Sequence, residues 1–137
     1  MELQQVKSLL LTQKHTCVLQ GNGEVYTDDR RGVLPLLEFL DSGKDFSGFS
    51  AADKVVGKAA AFLYCLLGVK ALWAGVISRP ALEVLQRQGI AVQYETLSDA
   101  ILNRSGTGFC PMESATRELS DPQTALFAIR ETLKSLK

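Results

Sequence analysis

The sequence predicts an α/β fold, a three-layer α/β/α sandwich with a mixed sheet between its helices. Three observations carry this reading. Asn22-Gly23 stands between two short β-prone runs, the signature of an antiparallel hairpin. The run "VKALWAGVIS" is apolar almost throughout, as expected of a strand covered on both faces. It is followed by a helical segment, "RPALEVLQRQG", and a second strand-like run, "IAVQYETL". Strand, helix and strand at that spacing form a βαβ unit, parallel and with a right-handed crossover.

Each element follows in chain order. The first dozen residues place Leu3, Val6 and Leu10 on one helical face. "TCVLQGNGEVYT" is the hairpin. "RRGVLPLLEFLDSG" predicts a short helix with Pro35 in its first turn, where a missing N–H costs nothing, and Gly43 as its stop. "SAADKVVGKAAAFLYCLLG" reads as one helix opened by a Ser-x-x-Asp capping box at Ser50 and Asp53. Every residue from Ala59 to Leu67 is apolar, so this helix is expected at the centre of the fold.

Ser78 is the expected cap of the next helix, with Pro80 in its first turn and Gly89 at its end. "SDAIL" predicts a short helix leading into "NRSGTGFCPME". The last helix, "SDPQTALFAIRETLKSLK", has Asp121 as cap and Pro122 first, with Leu126, Ile129, Leu133 and Leu136 as its buried stripe. Four strands are legible, with room for a short fifth. The chain, 1–137, reads as a single domain: an N-terminal helix over 1–14, a core over 15–119 and a C-terminal helix over 120–137.

Composition narrows the function classes. Of 137 residues, 46% are hydrophobic and 22% charged, and the formal net charge is zero. The only adjacent basic pair, Arg30-Arg31, follows two aspartates, so no nucleic-acid partner is expected. No apolar run reaches the roughly 18 residues of a membrane span. The start, "MELQQVKSLLLTQK", lacks the pattern of a signal peptide, which points to a cytoplasmic protein. Cys17, Cys65 and Cys110 are far apart and odd in number, so no disulfide framework is expected. His15 is the sole histidine, which removes most catalytic zinc sites, and no Gly-x-Ser-x-Gly elbow is present.

Two segments concentrate chemistry. Lys54 and Lys58 stand four apart, on one face of the expected helix near its positive end, with Asp53 offsetting one of them. Free backbone N–H groups there suit a phosphate or carboxylate. Gly57 between them lets a ligand or another backbone come close. The alternative is a solvated first turn packed on a neighbour. The second segment is "NRSGTGFCPME". Arg104 offers bidentate recognition of an oxyanion. Asn103, Ser105 and Thr107 offer hydrogen bonds, Gly106 and Gly108 allow close backbone approach, and Glu113 adds a carboxylate. The same residue types also simply make turns. Cys110 precedes Pro111, just ahead of a helix expected to start near Met112 or Glu113. It is either a reactive thiol or a small buried residue. Cys17 and Cys65 read as core.

"SAADKVVGKAAAFL" together with "NRSGTGFCPME" resembles the small prokaryotic domain-of-unknown-function family 1893. "VISRPALEVLQRQGI" and "RRGVLPLLEFLDSG" fit it as well, so the resemblance covers about residues 16–118. It implies a cytidine deaminase-like fold. Zinc deaminases carry His-x-Glu or Cys-x-Glu at the start of the central helix and Pro-Cys-x-x-Cys at the start of the next. Here those places hold "ADKVVGK" and "RPALEVL", with Ala81 and Val84 where the cysteines would fall. The resemblance therefore implies a deaminase fold without the zinc motif: no metal, no cofactor and no zinc-dependent deamination.

It also implies that the starts of two sheet-packed helices share a pocket. Asp53, Lys54, Lys58 and Ser78 would meet there, with Arg104 and Cys110 joining if their loop folds over the same end. The leading expectation is a domain that binds a small anionic or nucleotide-like molecule. Lys54, Lys58 and Arg104 would hold the anion, and Ser78 and Asn103 would hydrogen-bond; Asp53, Thr107 and Glu113 complete the candidate ligand-binding set. Two alternatives stand beside it. One is a Cys110-dependent enzyme or redox thiol protein, with Cys110 as its candidate catalytic residue. The other is a non-catalytic oligomerisation or interaction module, since apolar helical stripes at both chain ends are compatible with a homo-oligomer.

Overall fold

The computed structural model describes residues 2–30, 32–99 and 111–135. Its sheet has five strands: β1 (Cys17–Gly21), β2 (Glu24–Asp28), β3 (Ser50–Val56), β4 (Ala71–Ser78) and β5 (Ala91–Ser98). Their spatial order is β2-β1-β3-β4-β5. The hairpin β1–β2 is antiparallel, and β1 is antiparallel to β3 as well. β3, β4 and β5 run parallel. Asn22 and Gly23 both take positive φ, 52° and 76°, as the tight hairpin turn requires.

Helices cover both faces, as expected. On one side lies α1 (Glu2–Thr12), packed on β1, β3 and β4. Its Val6 and Leu10 close over Val18, Ala52 and Trp73. The neighbours of those strand residues, Leu19, Ala51 and Leu72, point to the opposite face, because strand side chains alternate. That face carries α3 (Lys58–Leu67) and α4 (Arg79–Arg87). Around α3 stand α2 (Leu34–Asp41), α5 (Pro111–Thr116) and α6 (Pro122–Ser135). Phe62, Leu63 and Tyr64 of α3 are fully buried with Ile77 and Leu85. Each such large side chain contributes about 1.5–3 kcal/mol of burial. In α6 the deepest residues are Ala125 and Ile129, while Leu126 and Leu133 are half-buried and Leu136 lies outside the described residues.

One expected element is corrected. Residues 50–56 do not open a helix; they form β3, the central strand, and the fifth strand is therefore neither short nor peripheral. Two ladders decide this. Ser50 pairs with Gln20 on one side and Ala71 on the other, and Asp53 with Cys17 and Ala74. A local Ser-x-x-Asp capping box cannot match bonds to two strands, and β-branched Val55 and Val56 favour the extended chain. The helix starts at Lys58, with Gly57 as its extended N-cap residue (φ −93°, ψ 179°) and no side-chain cap of its own. Lys54 and Lys58 consequently do not share a helical face: Lys54 is an exposed strand residue and Lys58 the first residue of α3. Of the "SDAIL" segment, Ser98 ends β5 and residues 100–102 lie outside the described part.

Candidate functional site

Because β1 is antiparallel to β3, the start of β1 lies beside the carboxyl end of β3. The starts of α3 and α4 follow directly from the carboxyl ends of β3 and β4. Ligands in open α/β sheets gather at this end.

The start of α3 is held by a distant carboxylate. Glu113, on α5, accepts a hydrogen bond from the backbone N–H of Lys58. It thereby satisfies one donor that the helix itself leaves unpaired, and brings negative charge to the positive end of the dipole. Glu113 is only 7% exposed. Burial pushes its carboxyl above the usual range, against the opposing pull of the Lys58 N–H and charge. Lys58 Nζ donates to the carbonyl of Arg117 at 2.9 Å and lies 5.7 Å from the centre of the Phe62 ring. The start of α4 is held as expected: Ser78 is fully buried, and its Oγ accepts from the N–H of Ala81 at 3.2 Å.

Between the start of α3, the length of α4 and the α5–α6 connection lies a groove of ≈ 370 Å³. Lys58 and Pro80 bring the two helix starts to it, and Arg87, Arg117, Glu83 and Glu118 set its charge. Of the four residues expected to meet in one pocket, Lys58 lines this groove, while Asp53, Lys54 and Ser78 are not among its lining residues. Arg87 and Arg117 were not expected, since neither belongs to a motif and both reach the groove through helix packing.

A second polar cluster sits where β1, β3 and α3 meet. The Tyr64 hydroxyl lies 2.7 Å from Asp53 Oδ2 and 3.3 Å from Cys17 Sγ. Asp53 Oδ1 accepts from the N–H of Val55 at 3.3 Å. Burial raises the Asp53 carboxyl from 3.8 to about 7, against the hydroxyl of Tyr64 and the backbone N–H groups of Val55 and Lys54. Cys17 is core, as expected, but it is a bonded core residue, and burial pushes its thiol far up. Tyr64 signals this cluster in the sequence: it is the one polar tip inside the apolar run 59–67, and a buried tyrosine hydroxyl needs a partner. Lys54 is exposed, and its backbone N–H donates to the Thr16 carbonyl at 3.1 Å. Nearby in sequence, His15 Nδ1 lies 2.7 Å from Asp29 Oδ1.

Asn103, Arg104, Thr107 and Cys110 lie outside the described residues. Among the described residues, no group of three His, Cys, Asp or Glu side chains is arranged to hold a metal ion.

The family described as Domain of unknown function (DUF1893) matches residues 5–133. The DUF1893 family protein TM1506 from Thermotoga maritima superimposes with a TM-score of 0.88 at 23% identity, over 95% of this chain and 88% of that one. A dCMP deaminase from the cyanophage S-TIM5 matches with a TM-score of 0.46 at 13% identity, over 69% of this chain and 94% of its own. The same enzyme in complex with dCMP and dUMP gives 0.47 at 12%, over 68% of this chain and 93% of its own. Among curated proteins, none matches. With the family match spanning nearly the whole chain, and the same fold found in a solved member, this protein belongs to the DUF1893 family.

Proposed function

We propose that the groove between the start of α3, the face of α4 and the α5–α6 connection binds a small anionic or nucleotide-like molecule. One observation carries the reading: Lys58, Arg87 and Arg117 line the same groove as Glu83 and Glu118, along the length of α4. Three cations and two carboxylates suit a ligand that is anionic at one point and donates hydrogen bonds at another. A nucleotide or sugar phosphate has that make-up, with phosphate for the guanidinium groups and hydroxyl or amino groups for the carboxylates. The volume falls within the usual range for small-molecule sites.

In this reading Lys58 is the first contact for the anion, with Arg104 as a further cation and Asn103 and Thr107 as hydrogen-bonding groups; Lys54, expected among the cations, does not line the groove. Ser78 and Glu113 act by position. Both are buried, and they hold the starts of α4 and α3. Asp53 stands behind α3, bonded to Tyr64.

Thermal shift with nucleoside monophosphates, sugar phosphates and small carboxylic acids tests the proposal. At least one class raises Tm, by mass action on the folded state. The rise shrinks in Lys58→Ala and Arg87→Ala and weakens with added salt. No shift with any class, or an undiminished shift in both variants, overturns it.

A further inference from the structure

The cluster of Cys17, Tyr64 and Asp53 lies apart from the residues that line the groove, and its geometry has two readings of equal shape. Three elements supply one side chain each: β1, α3 and β3. Cys17 and Asp53 are register partners across the antiparallel ladder, and Tyr64 bonds to both. A tyrosine hydroxyl has one proton and can donate only once. When Asp53 is ionised, Tyr64 donates to it, and the Cys17 thiol donates to the tyrosine oxygen. When Asp53 is protonated, its own O–H can donate to Tyr64, whose proton then turns to Cys17 Sγ. The heavy atoms keep their places in both arrangements. Each residue keeps its own proton, and the single proton gained or lost is exchanged with water at Asp53.

We propose that Cys17, Tyr64 and Asp53 form a reversible hydrogen-bond relay, through which the charge on Asp53 sets how firmly β1 and β3 are held to α3. Its two ends differ. Cys17 and Tyr64 are sealed in the core, while Asp53 is only half-buried and meets solvent. Burial, with Asp53 beside them, keeps both the Cys17 thiol and the Tyr64 hydroxyl protonated. Asp53 is then the one group of the three that titrates under ordinary conditions.

The surrounding groups favour a response. On β2, Asp28 is the register partner of Cys17 on its other side, so ionising Asp53 puts a second carboxylate in the row Asp28–Cys17–Asp53. Asp28 is balanced by Arg30 at 2.7 Å, and Arg30 by Glu38 of α2 at 2.6 Å. On β4 the neighbour in register is Ala74, which is uncharged. Among the described residues, Asp53 has the Tyr64 hydroxyl and backbone N–H groups as partners, with no cation paired to it. Ionisation therefore strains the cluster, and Tyr64 transmits the change to α3, six residues after Lys58.

The test uses the wild-type protein first. Carbon NMR of selectively labelled aspartate, tyrosine and cysteine follows Asp53, Tyr64 and Cys17 from about pH 5 to about pH 9. All three signals are expected to move with one midpoint near neutrality. Amide exchange at Val18, corrected for its intrinsic pH dependence, becomes several-fold faster above that midpoint. In Tyr64→Phe the Cys17 signal stops following Asp53, and in Asp53→Asn neither remaining signal moves. A wild-type Asp53 midpoint in the ordinary carboxylate range, or a Cys17 signal that stays still while Asp53 titrates, overturns the relay without recourse to any variant.

Discussion

The backbone N–H of Lys58 is bonded to the carboxylate of Glu113, 55 residues later in the chain. This one bond ties the first turn of the central helix to α5. It also means that part of the positive helix end is matched from within. Glu113→Ala leaves the Lys58 N–H unpaired in a half-buried place and is expected to cost about 1–2 kcal/mol. Glu113→Gln keeps an acceptor oxygen and removes the buried charge, so its stability stays within about 0.5 kcal/mol of wild type. Urea denaturation of the two variants checks this. An alanine variant as stable as the glutamine variant would show that the bond does not hold the helix start.

Two glycines make tight approaches and give the second prediction. A Cβ at Gly21 would stand 2.5 Å from the Phe49 ring, and one at Gly75 would stand 2.7 Å from the Lys54 carbonyl oxygen. Phe49 is itself packed edge-on against Phe46, with centroids 5.2 Å apart, so it has little room to give. Gly21→Ala and Gly75→Ala are each expected to lose about 1–3 kcal/mol. Phe49→Leu should recover part of the loss in Gly21→Ala and none in Gly75→Ala, because only the first clash is with that ring. Equal recovery in both, measured by chemical denaturation, contradicts the contact.

Thiol reactivity supplies the third. Cys17 is buried and hydrogen-bonded, and burial lifts Cys65 to about 11. Thiols in that state react slowly, because the thiolate is the nucleophile. Alkylation near neutral pH, read by peptide mass spectrometry, is expected to leave Cys17 and Cys65 largely unmodified in the native protein. Any fast-reacting thiol is then Cys110. Rapid modification of Cys65 would contradict the packing of α3.

What the sequence could show depended on how local each cause was. Asn22-Gly23 dictates a tight turn through its own dihedral preferences, and the hairpin was legible at once. Ser78 caps α4 three residues away, and that too was readable. Residues 50–56 were not, because their state is decided by β1, 30 to 36 residues earlier, and β4, 21 residues later. A capping pattern and a downstream apolar run gave the wrong local answer. Lys58 could be picked out as a cation at a helix start. Its neighbours Arg87 and Arg117 could not, since the way α4 and the α5–α6 connection pack brings them in. Tyr64 left a trace in the sequence, but its partners, Cys17 and Asp53, are fixed only by the register of β1 against β3.

The last prediction concerns pH, and its sign follows from Asp53. The carboxyl titrates at 3.8 when unperturbed and at about 7 in the fold, raised by burial. Between these values the folded protein keeps a proton that the unfolded chain has lost. Stability from this group is therefore full in acid and declines as pH rises through the folded value. Allowing for its partial exposure, the loss is on the order of 2 kcal/mol. Glu113 is raised as well and acts in the same direction. Asp28 and Glu38, bonded to Arg30, are lowered, so their contribution disappears only in stronger acid, outside this window. Asp53→Asn is thus expected to flatten the fall in Tm between about pH 5 and about pH 8, and to be more stable than wild type at the alkaline end. Adding Glu113→Gln is expected to flatten the fall further, because burial raises that carboxyl in the same direction. If Asp53→Asn keeps the wild-type slope, the carboxyl is not held protonated by the fold, and the charge it carries near neutrality is balanced by a partner outside the Cys17–Tyr64 cluster.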